Sequence, residues 1–434
     1  MKNTLIVTSL LLLTVALRLH NYAVYPQRGA TSDEYAFAFQ GISLITHGIP
    51  TAWSAIPLYK DVRHLIVDGL YFPVVRPYLD HPPLFGLLIG LWAILARQTT
   101  FEVVRLATIR VIPIVLSLIS SVFLYSLAKS VYGERVARWS LAIYATTTLF
   151  VVNSRIVVAE SLVTPLWLAA VWMITRKQKK ADRSPFIILG LLAAAAILTK
   201  VLGVVVWLSV VVILVYRRVP IRRIVFATGT AFVGVLVLYL YGRAYDEKLF
   251  WAIQSYQGMS RILGPKTIWT ILGTPSIVNT IYYDGWYFWG LFAVGVASLD
   301  IRKNITVVVP AFLYVLLLMV SVNETDIHGW YFIPLFPFFA LAGGWLLIES
   351  IENARWTLLV WAVLVGASLI HALYALPFGL TPSVYRWLMG IMLTLVVVSL
   401  LTQSTVWRRR IGYGTAILFI VATAIATLRY IHPT

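Results

Sequence analysis

Long apolar runs broken by short charged connections recur along this chain from end to end. Thirteen of them predict membrane-crossing helices, at about 3–22, 106–129, 138–153, 161–175, 184–199, 201–216, 223–242, 286–299, 305–321, 331–348, 356–375, 385–402 and 411–428. Several are shorter than the roughly 20 residues of a straight span, so they are expected to recruit flanking residues or to line a cavity. The connections alternate in charge. KSVYGERVAR, RKQKKADR, RRVPIRR, DIRKN and WRRR fall on one side together with Lys2, and most of the acids fall on the other. Positive-inside logic makes the basic side cytoplasmic, which places the N-terminus inside and the C-terminus outside.

One apolar stretch breaks the pattern. Counting PPLFGLLIGLWAILA (82–96) as a crossing would put RKQKKADR and RRVPIRR on the outer side. It is therefore expected to be an interfacial or re-entrant helix. The whole stretch 23–105 then becomes one long external loop, with Trp53, Tyr59, Tyr71, Phe72 and Tyr78 suited to the membrane interface. A second external loop is expected at 243–285. The N-terminal run continues into HNYAVYP with no small-x-small cleavage site, so it reads as an uncleaved first span. No internal repeat and no appended soluble domain are visible.

Composition agrees with this picture. The 434 residues are 60% hydrophobic and only 12% charged, which excludes a soluble globular protein. The formal charge of +18 sits in short loops, where it is a topology signal and not a nucleic-acid surface. There is no Cys, so disulfides, thiolate chemistry and Cys-ligated metals are excluded.

The candidate chemistry gathers on the outer side. Ionisable groups at the edge of a bilayer are costly and are functional candidates by default. Asp33-Glu34 opens an amphipathic stretch after the first span. It reads either as a helix start favoured by the dipole or as a general base for a hydroxyl. Asp80-His81 precedes Pro82-Pro83, a sound helix start, and could bind an anionic head group. Arg155 and Glu160 bracket an external turn, as an interfacial salt bridge or as a phosphate contact with its orienting acid. Lys200 interrupts a long apolar stretch and either snorkels or serves as a phosphate counter-ion. His328 and Tyr331, with Glu324 and Asp326, mark another outer turn, and Pro334 and Pro337 would kink the span that follows. Arg261 and Lys266 are further phosphate candidates.

Together these segments resemble the GT-C superfamily of polyprenyl-phosphate-sugar glycosyltransferases, and within it the protein O-mannosyltransferase and lipid A aminoarabinose transferase group. The likeness spans about 1–345. It rests on the Asp33-Glu34 pair, His81-Pro82-Pro83-Leu84, Ser154-Arg155 with an acid five residues on, Leu198-Thr199-Lys200, and Tyr331 followed by Pro334 and Pro337. Three features depart from the group. Glu160 stands where Asp is usual, Trp330 where Arg is frequent, and large soluble domains are lacking.

The resemblance implies an all-α polytopic GT-C fold: a catalytic membrane core at 1–345 and further membrane helices at 346–434. It implies transfer of a sugar from a polyprenyl-phosphate donor to a hydroxyl of a protein, lipid or glycan on the external face of the cell membrane, with inversion. Asp33 would be the base, with Glu34 and Glu160 as further catalytic acids. His81, Arg155 and Lys200 would contact the donor phosphate, and Asp80, His328 and Tyr331 other parts of the substrates. No cofactor is required by this reading. A divalent metal stays open, because the acids and His81 or His328 are suitable ligands. The partners implied are the donor, the acceptor and membrane lipids, with no nucleic acid. Two other readings stay open at this level: a transporter or lipid flippase, and a glycan polymerase or ligase using the same carrier.

Overall fold

The computed structural model describes residues 2–67, 69–176, 184–259, 266–322, 328–375 and 381–431. In chain order the helices are α1 (Lys2–Leu19), α2 (Asp33–His47), α3 (Pro83–Leu95), α4 (Leu106–Ile109), α5 (Val111–Tyr132), α6 (Glu134–Thr146), α7 (Thr148–Asn153), α8 (Glu160–Thr175) and α9 (Ser184–Thr199). They continue as α10 (Val204–Tyr216), α11 (Ile221–Met259), α12 (Lys266–Gly273), α13 (Gly285–Ser298), α14 (Ile301–Ser321), α15 (Phe336–Glu352), α16 (Thr357–Ala375), α17 (Pro382–Leu401) and α18 (Thr405–Leu428). Each of the thirteen apolar runs falls on helix. Six helices among the described residues are long and apolar enough to cross a membrane, and several shorter apolar helices accompany them.

α15 forms the centre of the bundle. From Phe336 to Ile351 only Glu349 is not fully buried, as befits a helix apolar on every side. α6, α13 and the 3-10 helix Gly329–Leu335 pack around it. The run at 138–153 is divided into α6 and α7 at Thr147. There Thr146 and Thr147 turn their hydroxyls back onto the carbonyls of Ala142 and Ile143, a pattern that bends helices. α11 continues past the expected end of its span and changes direction at Asp246 (φ −167°, ψ 100°). Its last turns therefore occupy the start of the second external loop.

The segment 23–105, expected as an external loop, is folded. Besides α2 and α3 it holds a small antiparallel sheet, absent from the helical expectation: β1 (Ala52–Trp53), β2 (Val62–Val67) and β3 (Leu70–Val75), in the order β1-β3-β2. Val67 pairs with Leu70, so two residues join the strands. Their sequence is Asp-Gly, a strong hairpin signal, and Gly69 takes φ +77°. β3 turns Phe72 inward against Tyr35 of α2, with ring centroids 5.1 Å apart.

α2 and α3 meet through glycines. A Cβ on Gly41 would lie 1.8 Å from the Gly86 carbonyl oxygen, and one on Gly90 would lie 2.2 Å from the Gly41 carbonyl carbon. Gly86 and Gly90 form the small-x-x-x-small spacing that lets helix backbones touch. α2 is thereby fixed against α3, and its first turn carries Asp33-Glu34.

Candidate active site

Glu34 is fully buried and held on two sides. Arg110 Nε donates to its Oε1 (2.8 Å) and Nη2 to its Oε2 (2.7 Å), with neither side chain exposed. The Val157 backbone N–H also donates to Oε1 at 3.2 Å. Arg110 Nη1 donates to the Tyr22 and Pro26 carbonyls (2.9 and 2.7 Å). Arg155, also buried, donates to the carbonyls of Leu17 (2.7 Å) and Tyr25 (3.3 Å). Two arginines thus hold the segment joining α1 to α2. Arg155 contacts backbone and not Glu160, and neither it nor Glu34 lines a described cavity near Lys200.

Asp33, the neighbour of Glu34, is differently placed. It is half-buried, and its carboxylate makes no hydrogen bond or ion pair among the described residues. Burial pushes its pKa up to about 6; Lys200 opposes the rise, and Glu160 and Glu34 add to it. A carboxylate in that range is well matched to proton abstraction near neutral pH.

Lys200 lies at the turn between α9 and the 3-10 helix Val201–Gly203. Its Nζ donates to Glu160 Oε1 at 2.5 Å and lies 4.4 Å from the centroid of the Tyr331 ring. The other oxygen of Glu160 is buried with no hydrogen-bond partner among the described residues. Glu160 therefore holds the lysine in place with one oxygen. Tyr331 follows His328 and Trp330 in the 3-10 turn, where the last two rings lie 4.4 Å apart.

Asp80 is fixed by hydrogen bonds from the hydroxyls of Ser54 (2.6 Å, to Oδ2) and Tyr59 (2.5 Å, to Oδ1). Burial raises its pKa to about 6; the two hydroxyls counter the rise and Asp33 adds to it. The His81 ring stacks on Phe37 of α2, 5.2 Å between centroids.

A cavity of about 310 Å³ joins these pieces. Asp80, His81, Lys200 and Tyr331 line it together with Gln254 and Gln257 from the last turns of α11, and Val201, Leu202, Leu317 and Val320 make its apolar side. The glutamine amides donate to the carbonyls of Leu79 (3.4 Å) and Asp80 (3.3 Å). Its lining thus combines a cation and polar groups with apolar side chains from the 3-10 turn after Lys200 and from α14. Of the nine sequence-predicted site residues, Asp80, His81, Lys200 and Tyr331 line the cavity. Asp33 and Glu160 act on Lys200 from beside it, and His328 adjoins Tyr331 through Trp330. Glu34 and Arg155 belong to the buried arginine clamp. Glu324, Asp326 and Arg261 lie outside the described residues, and Lys266 opens α12 away from the cavity lining. Among the described residues no group of three or more His, Asp or Glu is arranged to hold a metal ion.

Sequence reasoning missed Arg110, Ser54, Tyr59, Gln254 and Gln257. Arg110 carried a usable signal, an arginine at the outer start of an apolar run. The others are ordinary polar residues of external segments, and only the fold brings them to Asp80.

The fold has known counterparts. Over 98% of the chain superposes on 77% of ArnT from Cupriavidus metallidurans, solved bound to undecaprenyl phosphate, with TM-score 0.59 and 15% identity. The archaeal oligosaccharyltransferase AglB from Archaeoglobus fulgidus, solved with an inhibitory peptide and a dolichol-phosphate, matches over 97% of this chain and 56% of its own, with TM-score 0.51 and 12% identity. The chain has the GT-C glycosyltransferase fold. Residues 80–241 also match the family model described as dolichyl-phosphate-mannose-protein mannosyltransferase. That segment carries Asp80, Arg155, Glu160 and Lys200. No curated protein matches the chain by overall sequence. The chain spans just over half the length of AglB.

Proposed function

We propose that this protein is a membrane glycosyltransferase that moves a sugar from a polyprenyl-phosphate donor to an acceptor hydroxyl. The observation that carries the reading is a carboxylate with no hydrogen-bond partner among the described residues, Asp33, held near a cation-bearing cavity lined by both polar and apolar side chains. The isoprenoid chain runs along Val201, Leu202, Leu317 and Val320, and its phosphate meets Lys200 and His81. The sugar lies toward Asp80, Gln254 and Gln257, whose carboxylate and amides suit sugar hydroxyls.

The acceptor oxygen attacks the anomeric carbon as the bond to the phosphate oxygen breaks, with inversion. The acceptor proton passes to Asp33, and the electron pair of the broken bond stays on the departing polyprenyl phosphate. Lys200 stabilises the charge that develops there, and Glu160 keeps Lys200 aimed. Glu34 has a positioning role in this account, because Arg110 occupies both of its oxygens. Arg155 likewise anchors backbone and does not contact the donor.

The charge alternation of the loops supports a cytoplasmic N-terminus and an external site. The ionisable groups gather at one end of the bundle, which favours a transferase over a transport path at the midplane. The deciding experiment is incubation of the purified protein with a panel of polyprenyl-phosphate sugars and mass analysis of released carrier and modified acceptor. Release of polyprenyl phosphate with a one-sugar gain on an acceptor supports transfer. Translocation of the intact donor across a vesicle membrane without sugar release would contradict it. Sidedness is checked with Ser32→Cys and Ser184→Cys in this cysteine-free chain. An impermeant thiol reagent applied outside intact cells should label the first and spare the second, and the reverse pattern would invert the topology.

A further inference from the structure

A larger cavity, of about 450 Å³, lies at the other end of the bundle. Ile6 and Leu10 of α1, Ala142 of α6 and Ile417 of α18 form its apolar walls. The outer end of α1 is the part that Arg155 grips at Leu17. Ile6 lies roughly 16 Å back along the same helix, at about 1.5 Å per residue. The groove therefore opens toward the leaflet opposite the Asp33 cavity.

Two arginines line its mouth, and they differ. Arg135 is ion-paired with Glu352, which also accepts a hydrogen bond from the Tyr413 hydroxyl at 3.0 Å. Arg138 is within ion-pair distance of no carboxylate among the described residues; its hydrogen bond goes to the neutral Asn3 Oδ1, at 3.4 Å. Trp139 stacks on Tyr413 beside it, 5.9 Å between ring centroids, an aromatic pair of the kind found at head-group depth. Glu134, one turn earlier, feels the charge of Arg138 but makes no ion pair with it among the described residues. An apolar slot with a cation that no carboxylate contacts and with aromatic rings beside it matches a lipid with a negative head. A soluble anion would leave the apolar walls unused, and a neutral lipid would leave Arg138 without a contacting anion.

We propose that this groove is a specific site for one anionic phospholipid of the bilayer, with an acyl chain along α1, α6 and α18 and its phosphate on Arg138. Positive-inside logic assigns it to the cytoplasmic leaflet, which is the anionic one. The site is separate from the donor cavity and does not depend on the transfer reaction.

The test is native mass spectrometry of the full-length protein released from vesicles of mixed phosphatidylglycerol and phosphatidylcholine with matched acyl chains. Wild-type protein should retain one phosphatidylglycerol in preference to phosphatidylcholine. Arg138→Gln, at a half-exposed position that leaves the core untouched, should lower that preference by roughly fivefold, the scale of one cation near a membrane surface. Lys200→Ala should keep the preference, since that residue lines the other cavity. A preference unchanged in Arg138→Gln overturns the proposal. So does a preference lost in Lys200→Ala, which would put the lipid in the donor cavity, and so does equal retention of the two lipids by wild type.

Discussion

Glu34 accepts two hydrogen bonds from Arg110, at 2.8 and 2.7 Å, while its neighbour Asp33 accepts none among the described residues. Two carboxylates adjacent in sequence thus have different environments. One is a buried ionic anchor that fixes the start of α2. The other is held beside Lys200 with its proton-accepting capacity free. The anchor keeps the free carboxylate in place, because consecutive residues at a helix start cannot move independently.

Removing one partner of a buried ion pair leaves an uncompensated charge, at a cost of about 3–5 kcal/mol. Arg110→Ala should therefore lower the thermal stability of the purified protein sharply and take activity with it. Asp33→Asn should leave the melting temperature close to wild type. Thermal unfolding in one detergent compares the two, and an Arg110→Ala protein as stable as wild type would remove the anchor role.

Lys200 should matter to the donor as well as to the fold, because Lys200→Ala also strands the buried carboxylate of Glu160. Hydrogen bonds to charged groups contribute about 1.5–3 kcal/mol, so Lys200→Ala should weaken polyprenyl-phosphate binding by roughly 10- to 100-fold. Lys200→Arg should recover only part, since a planar fork does not reproduce a compact ammonium. Titration with undecaprenyl phosphate, which carries no sugar, isolates this contact. Unchanged affinity in Lys200→Ala would assign the residue to interfacial snorkelling.

Much of this was legible in the sequence, for particular reasons. The apolar runs marked the helices because a membrane span must satisfy its own backbone and show apolar side chains. Asp80, His81, Lys200 and Tyr331 stood out as polar groups at span ends, and they line one cavity. What sequence could not separate was Asp33 from Glu34, or Arg155 from a phosphate ligand. Their roles turn on which carbonyls and carboxylates lie opposite, and Arg110 reaches Glu34 across 76 positions of chain. The sheet at 52–75 was also passed over, although Asp-Gly between two apolar strands marks a hairpin.

The pH profile should report Asp33. Its pKa is raised to about 6, and a base works only when deprotonated. Turnover should therefore rise with pH through about 6 and fall away below it, where an ordinary carboxylate would hold activity down to about 4. Asp80 lies in the same range, so the profile is to be repeated in Asp80→Asn. The acidic limb should stay in place there; its disappearance would transfer the titration to Asp80.

Gln254 and Gln257 should affect sugar recognition and spare carrier binding. Gln254→Leu combined with Gln257→Leu should raise KM for the sugar-bearing donor, with the affinity for undecaprenyl phosphate close to wild type. An equal loss for both ligands would mean that the glutamines only tie α11 to the Leu79-Asp80 backbone.

The most direct test of the account is Asp33→Asn assayed for both transfer and donor binding. Asparagine keeps the size of the side chain, and no cap is lost because Ser32, not Asp33, holds the N-cap position of α2, but asparagine cannot take the acceptor's proton. Turnover should fall by roughly two or more orders of magnitude, the usual scale for losing a general base, while the folded protein still binds polyprenyl phosphate as wild type does. Near-normal transfer by Asp33→Asn would contradict the central claim that this carboxylate is the base.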